Sequence, residues 1–350
     1  MKLSPAFRFA TRGLAVLIVA LAIYHLQHSS YSFWILLTAG ILYQSTTGAT
    51  FIRTSNRIFG TLFGVLTGAL IMSLVPFNNY IYFTILSISL FCMVYFFIYS
   101  YAKSVYFLGI FLITILSFFI GYKSQSEIFI FASVRTADTI IGGLIVIIMS
   151  YFIWPQHAAD DIKKNFYHVF NNFKDMTNQV LIQVEPKKYE QTFEAAFKNI
   201  VTIESLAKDA QAELSDFLLK ESTLQSIIRN MFIIHRCFIT IATNNLTIIN
   251  LSSIEQENIN KKLKNFSLIL LDVLTNIQEF EKITHDYKIW QNATVTILAL
   301  GDEINQYEKD TPGLSVQTHE GNRLLMLIVN LRQIIVHLQF IFSAIEQIRS

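Results

Sequence analysis

Residues 128–154 read IFIFASVRTADTIIGGLIVIIMSYFIW. The stretch is 27 residues long and apolar almost throughout, yet Arg135 and Asp138 lie inside it. A run of that length reads as a transmembrane helix, because about 20 apolar residues cross a bilayer. Ionisable groups at that depth are costly, and they usually face a bundle interior or a water-filled path. The pair also belongs to a pattern that occurs twice. Arg135-Thr136-Ala137-Asp138-Thr139-Ile140-Ile141-Gly142 has the spacing of Arg57-Ile58-Phe59-Gly60-Thr61-Leu62-Phe63-Gly64.

Outward from this stretch, the charge changes sharply along the chain. Residues 1–155 hold eight Lys/Arg and two acids, whereas residues 156–350 hold 19 basic and 23 acidic residues. The step at Trp154-Pro155 predicts a membrane domain over 1–155 and a soluble helical domain over 156–350. A net negative second domain argues against nucleic acid as a partner, which normally needs a basic face. Two cysteines, Cys92 and Cys237, build neither a disulfide framework nor a zinc site. No metal or cofactor is expected.

Six spans are predicted: Phe7–Leu26, Ser32–Ile52, Arg57–Val75, Tyr80–Tyr101, Val105–Gly121 and Ile128–Trp154. Only helices satisfy their own backbone in lipid at these lengths, so the expected fold class is all-α, a six-helix transmembrane bundle. Lys2, Arg8, Arg12, Arg53, Arg57 and Lys103 then share one side, with Lys123 alone on the other. That bias places both termini, and the helical domain, in the cytoplasm. A rival reading takes residues 1–22 as a cleaved signal peptide ending in Ala20-Leu21-Ala22, but that site lies within an apolar run continuing to Tyr24. Trp34 and Trp154 read as interface belt residues.

The second span has two readings. Its strongly apolar part, Phe33–Tyr43, is too short to cross alone and continues through Gln44-Ser45-Thr46-Thr47-Gly48-Ala49-Thr50. Either the helix is broken there, where protein or water covers the backbone, or Ser and Thr bond back to an unbroken helix.

An offset of 78 residues superposes Arg57 on Arg135 and, roughly, the first three spans on the last three. Copies separated by three spans cross in opposite directions, which predicts an inverted 3+3 repeat with its site between the halves. Arg57 is expected at the N-terminus of the third span, where free N–H groups and the dipole favour anions. Its planar fork suits a carboxylate. Arg57 could instead be a positive-inside anchor with its head in water. Gly60, Gly64 and Gly68, with Gly142 in the second copy, form small-residue stripes for close helix packing. Asp138 lies one turn beyond Arg135 and can pair with it at i, i+3. It is either a permanent counter-ion or a group that takes up and releases a proton.

Trp34, Leu37-Thr38-Ala39, Tyr43-Gln44, Gly48-Ala49-Thr50 and Arg57-x-x-Gly60-Thr61-x-x-Gly64 resemble the fusaric acid resistance and aromatic acid exporter superfamily. Arg135-x-x-Asp138-Thr139-x-x-Gly142 and Trp154-Pro155 resemble the same pattern. Residues 47–64 are also similar to plant aluminium-activated malate transporters, which are anion channels. The resemblance covers residues 30–155. It implies export of aromatic or other organic carboxylates, driven by the proton gradient, by a homodimer in a bacterial inner membrane. It sets Arg57 and Arg135 beside the anion path. Gln44, Thr61 and Thr139 are further candidates for lining that path, and Asp138 is the candidate for proton coupling. Many family exporters carry a second membrane block, and this chain has one.

From Gln156 onward apolar residues recur at helical spacing, for example Phe166, Val169, Phe170 and Phe173. Breaks near Glu185-Pro186, Leu214-Ser215, Ser252-Ser253, His285-Asp286 and Thr311-Pro312-Gly313 predict five or six long helices in a bundle. No residue set supplies a nucleophile with its base, so an enzyme is not expected. His235-Arg236-Cys237 and Thr284-His285-Asp286 read as core or surface side chains. Three functions stay open: an anion exporter, a passive anion channel and a membrane-anchored scaffold.

Overall fold

Helix is the sole regular structure among the described residues of the computed structural model, which are 4–27, 33–75, 78–120, 125–183, 189–213, 221–244, 253–278, 295 and 319–349. The first six helices are α1 (Pro5–Gln27), α2 (Phe33–Leu42), α3 (Thr47–Leu74), α4 (Asn79–Tyr99), α5 (Tyr101–Ile120) and α6 (Gln125–Phe152). Then follow α7 (Ala158–Thr177), which runs into a π-helical turn over Asn178–Gln183, α8 (Tyr189–Ala212) and α9 (Glu221–Thr243). The last two are α10 (Ser253–Gln278) and α11 (His319–Arg349). The expected breaks at Glu185-Pro186, Leu214-Ser215, His285-Asp286 and Thr311-Pro312-Gly313 lie outside the described residues.

Helices α1, α3, α4, α5 and α6 are long and apolar enough to cross a membrane. The second expected span differs. Only the ten residues of α2 are helical before the chain breaks at Tyr43–Thr46. Helix α3 then starts at Thr47, because the Thr46 hydroxyl accepts from the Ala49 N–H at 3.1 Å and caps the new helix. The expected boundary at Arg57 is therefore corrected. Arg57 lies ten residues inside α3, about 15 Å along its axis. A further stretch, Leu325–Ile345 of α11, also has the length and hydropathy of a span.

The chain divides into two units. Unit 1 comprises Met1–Ala158 with Lys208–Ser215, and unit 2 comprises Ala159–Ala207 with Asp216–Ser350. In unit 1, α3 packs on α5 and α6, α4 on α5, and α2 on α1 and α6. One apolar cluster joins Val65, Ala69 and Met72 of α3 to Ile113 of α5 and Phe131 of α6. Another joins Val16 of α1 and Ile35, Ala39 and Leu42 of α2 to Ile145 and Val146 of α6. Helix α4 buries little of itself and leaves Phe83, Phe91, Phe97 and Ile98 exposed. An apolar surface of that kind fits hydrocarbon better than water. The chain leaves α6 through Trp154, whose φ of 45° is left-handed and strained for so bulky a side chain.

In unit 2 the apolar stripe of α7 buries Phe166, Val169, Phe170 and Phe173, as the 3.6-residue period requires. Phe173 meets the ring of Phe238 on α9, and α9 packs along α11. Helix α10 contributes Phe266, Leu270, Val273 and Leu274 to the buried set and packs on the π-helical turn.

Candidate functional site

Helices α3 and α6 pack side by side, and each is 28 residues long with an arginine as its eleventh residue. Both arginines are buried, Arg57 at 4% and Arg135 at 1% exposure, and Asp138 is buried at 3%. Arg57 and Asp138 lie near enough for their charges to act on Arg135. The Arg135 guanidinium carbon sits 3.7 Å from the centroid of the Trp34 ring on α2. That is a cation–π contact of the kind a desolvated guanidinium makes with indole. Trp34, read from sequence as a belt residue, is therefore part of the charged cluster.

The expected i, i+3 pairing of Arg135 with Asp138 is not formed. No hydrogen bond or ion pair joins them, because the guanidinium lies on the Trp34 face instead. Nε of Arg57, Nε and Nη1 of Arg135 and Oδ2 of Asp138 have no hydrogen-bond partner among the described residues. Buried polar atoms are nearly always satisfied, so free donors and a free acceptor together mark a place for water or ligand.

The remaining expected site residues separate into groups. Thr61 is buried one turn beyond Arg57. Thr139 is buried beside Arg135, and its hydroxyl donates back to the Arg135 carbonyl at 2.9 Å. Gln44 lies in the α2–α3 break, where its side-chain amide donates to the Tyr43 carbonyl. Gly60, Gly64 and Gly68 face α5, where a Cβ would meet the Ala102 carbonyl, the Tyr106 carbonyl and Ile110 respectively. Gly142 faces Ile35 and Thr38 of α2.

Two residues organise the break: Arg12, read from sequence only as a cytoplasmic-side charge, and Glu213, which sequence reasoning passed over. Arg12 of α1 is buried at 1% exposure. Its Nη2 donates to the carbonyls of Gln44 (3.0 Å) and Ser45 (2.7 Å), and its Nε donates to the Tyr43 hydroxyl (2.8 Å). The Tyr43 hydroxyl in turn donates to the Phe9 carbonyl. An arginine inside an apolar run was the available signal, the same one that marked Arg135.

The second residue is Glu213. The N-terminus of α3 was expected to favour an anion, and a carboxylate of the chain itself is there. Glu213 Oε1 accepts from the Gly48 N–H at 3.2 Å and the Ala158 N–H at 2.7 Å, so one buried carboxylate caps α3 and α7 together. His157 Nδ1 lies 3.7 Å from its Oε2. Nearby, Thr46 donates to Asp209, whose carboxyl is pushed up by burial against the effect of that bond. No local pattern reveals Glu213, which stands 165 residues from Gly48. Glu213→Ala should cost about 1–2 kcal/mol for each helix that loses its cap. Glu213→Gln keeps an acceptor oxygen and should cost less than half as much. Thermal unfolding in detergent reads the difference, and equal losses would refute the cap.

Residues 15–149 match the family model described as fusaric acid resistance protein-like. The matched stretch lies within unit 1. It contains α2 through α5, most of α1 and α6, and both buried arginines of the cluster. The chain is also similar to the uncharacterized protein ORF2 of Neisseria gonorrhoeae, at 31% identity over 154 residues, 44% of this chain and 35% of that protein. An uncharacterized protein of Haemophilus influenzae is 31% identical over 157 residues, 44% of this chain and 20% of that protein. The chain thus spans about a third and a fifth of the lengths of these relatives. The long apolar helices, together with this match, mark the chain as a multi-pass membrane protein.

Proposed function

We propose that the domain carries organic, chiefly aromatic, carboxylate anions across a membrane along a path that includes Arg57 and Arg135. The observation that carries this reading is the cluster itself: two buried arginines with unused donors, on adjoining helices, beside an indole face. Burying like charges together is unfavourable unless something anionic visits. Guanidinium donors suit the carboxylate, and the indole suits a ring attached to it. Asp138, with a free oxygen in the same cluster, is the group that exchanges a proton during transport.

An inverted repeat explains why the cluster has two arginines. The ends of α3 and α6 differ by the same 78 residues. Exchanging α1 with α4, α2 with α5 and α3 with α6 turns the α3–α5 and α4–α5 contacts into the α6–α2 and α1–α2 contacts that also occur. Sites in transporters built this way lie between the halves. The basic residues of the connections favour cytoplasmic termini and a bacterial inner membrane, with residues 156–350 as a cytoplasmic helical domain. A second copy of the single membrane block would complete a homodimer.

The test is efflux of aromatic carboxylates from preloaded proteoliposomes with an imposed pH gradient. Arg135→Ala should reduce flux at least tenfold, and Arg135→Lys, which keeps charge but loses the fork and the stacking, should recover only part of it. Asp138→Asn should abolish the response to the gradient. Flux that needs Arg135 yet ignores the gradient would identify a passive anion channel instead. Unchanged flux in Arg135→Ala would remove the anion path from this cluster and favour a scaffold.

A further inference from the structure

In unit 2, α8 and α9 border an open cavity of about 670 Å³, lined by Tyr189, Glu190, Phe193, Glu194, Phe197 and His235 among others. That volume falls within the range of small-molecule sites. Tyr189, Phe193 and Phe197 recur every four residues, so they form one aromatic stripe along α8. Glu190 and Glu194 repeat the same spacing one residue on, and both are exposed. Among the described residues the lining therefore holds three aromatic rings and two carboxylates, with neither lysine nor arginine.

His235 sets the polarity of the α9 wall. It is buried at 6% exposure, and its Nε2 lies 2.9 Å from the Phe193 carbonyl. A carbonyl only accepts, so Nε2 carries the proton and Nδ1 is left as an acceptor. Burial pushes the imidazole below its ordinary range against that bond, which favours the neutral ring. The ring stands edge-on to Phe193 at 6.1 Å between centroids and tilted against Phe197 at 5.9 Å. The free Nδ1 of His235 thus accepts protons beside the Glu190 and Glu194 carboxylates, and the ring faces add quadrupole attraction for a cation.

We propose that this cavity binds a small organic cation bearing an aromatic ring, of the arylalkylamine class. The ring packs against Phe193 and Phe197, and the ammonium group is held by Glu190 and Glu194. This is a site separate in chemistry from the arginine cluster, which would take the opposite charge. It does not depend on the transport reading.

Titration calorimetry of the full chain in detergent tests it with three probes that share one ring: phenethylamine, 2-phenylethanol and phenylacetate. Phenethylamine should bind saturably, at least tenfold more tightly than phenylacetate, and more weakly as salt rises. The double variant Glu190→Gln/Glu194→Gln alters only exposed side chains. It should weaken phenethylamine about tenfold while leaving 2-phenylethanol unchanged. Phe193→Leu should weaken both. Three results would each overturn the proposal: no saturable phenethylamine binding, phenylacetate binding as tightly, or a double variant that binds phenethylamine like the parent.

Discussion

Gly64→Ala should destabilise the membrane domain by about 3 kcal/mol, the upper end of what one added methyl costs in a packed interior. The added Cβ would sit 2.1 Å from the Tyr106 carbonyl oxygen and 2.9 Å from that residue's carbonyl carbon and Cα. All three are backbone atoms of α5, so no side chain can rotate away. The opposing position is as tight: a Cβ on Gly109 would lie 2.8 Å from the Gly64 carbonyl carbon. Two helices meet here backbone to backbone, as small residues permit in membranes. Relief requires α3 and α5 to separate, which also loosens Val65 and Ala69 against Ile113. Gly40→Ala is the control, because its new methyl would meet only Leu17 Cδ2 at an ordinary 3.7 Å. Thermal unfolding in detergent should show a drop of roughly 6–12 °C for Gly64→Ala and little for Gly40→Ala. Equal melting temperatures would mean that the α3–α5 approach is not limiting.

The contrast between those glycines shows what was legible in the sequence. A stripe at i, i+4, i+8 announces a small face but does not say which backbone comes within contact of it. Likewise the apolar runs located five long helices, because hydrophobic length depends on composition alone. The arginines and Asp138 were legible through their cost at membrane depth. The start of α3 was not. Arg53-Thr54-Ser55-Asn56 resembles a polar connection, yet it lies inside a helix with Thr54 buried and Arg53 over the Tyr101 ring. Besides the local Thr46 cap, partners for the first N–H groups of α3 are supplied from far along the chain: Gln156 accepts the Thr47 N–H, and Glu213 accepts that of Gly48. Arg135 was expected to pair with the acid on its own helix, because i, i+3 spacing is visible in sequence. Its partner Trp34 is visible only after α2 packs on α6.

Arg12→Lys distinguishes a fixed fork from a mere positive charge. If Arg12 acted only as a topological anchor, lysine would replace it without loss, since both count equally toward orientation. The geometry predicts otherwise. One guanidinium serves the Tyr43 hydroxyl and two consecutive carbonyls, Gln44 and Ser45, while lying 5.1 Å from the Tyr43 ring centroid. These carbonyls belong to the break, where neither α2 nor α3 can bond them. Arg12→Met should remove these bonds, at about 0.5–1.5 kcal/mol for each. A lysine ammonium has three donors but no planar fork, so Arg12→Lys should lose roughly half as much. Hydrogen exchange over residues 43–50 gives the local readout. Protection of the Thr50 N–H, which bonds to the Thr46 carbonyl, should fall in both variants, and further in Arg12→Met. Full protection in Arg12→Lys would reduce Arg12 to an anchor. Lost protection with the rest of the domain unchanged would identify α1 as the element that holds the break in its bent form.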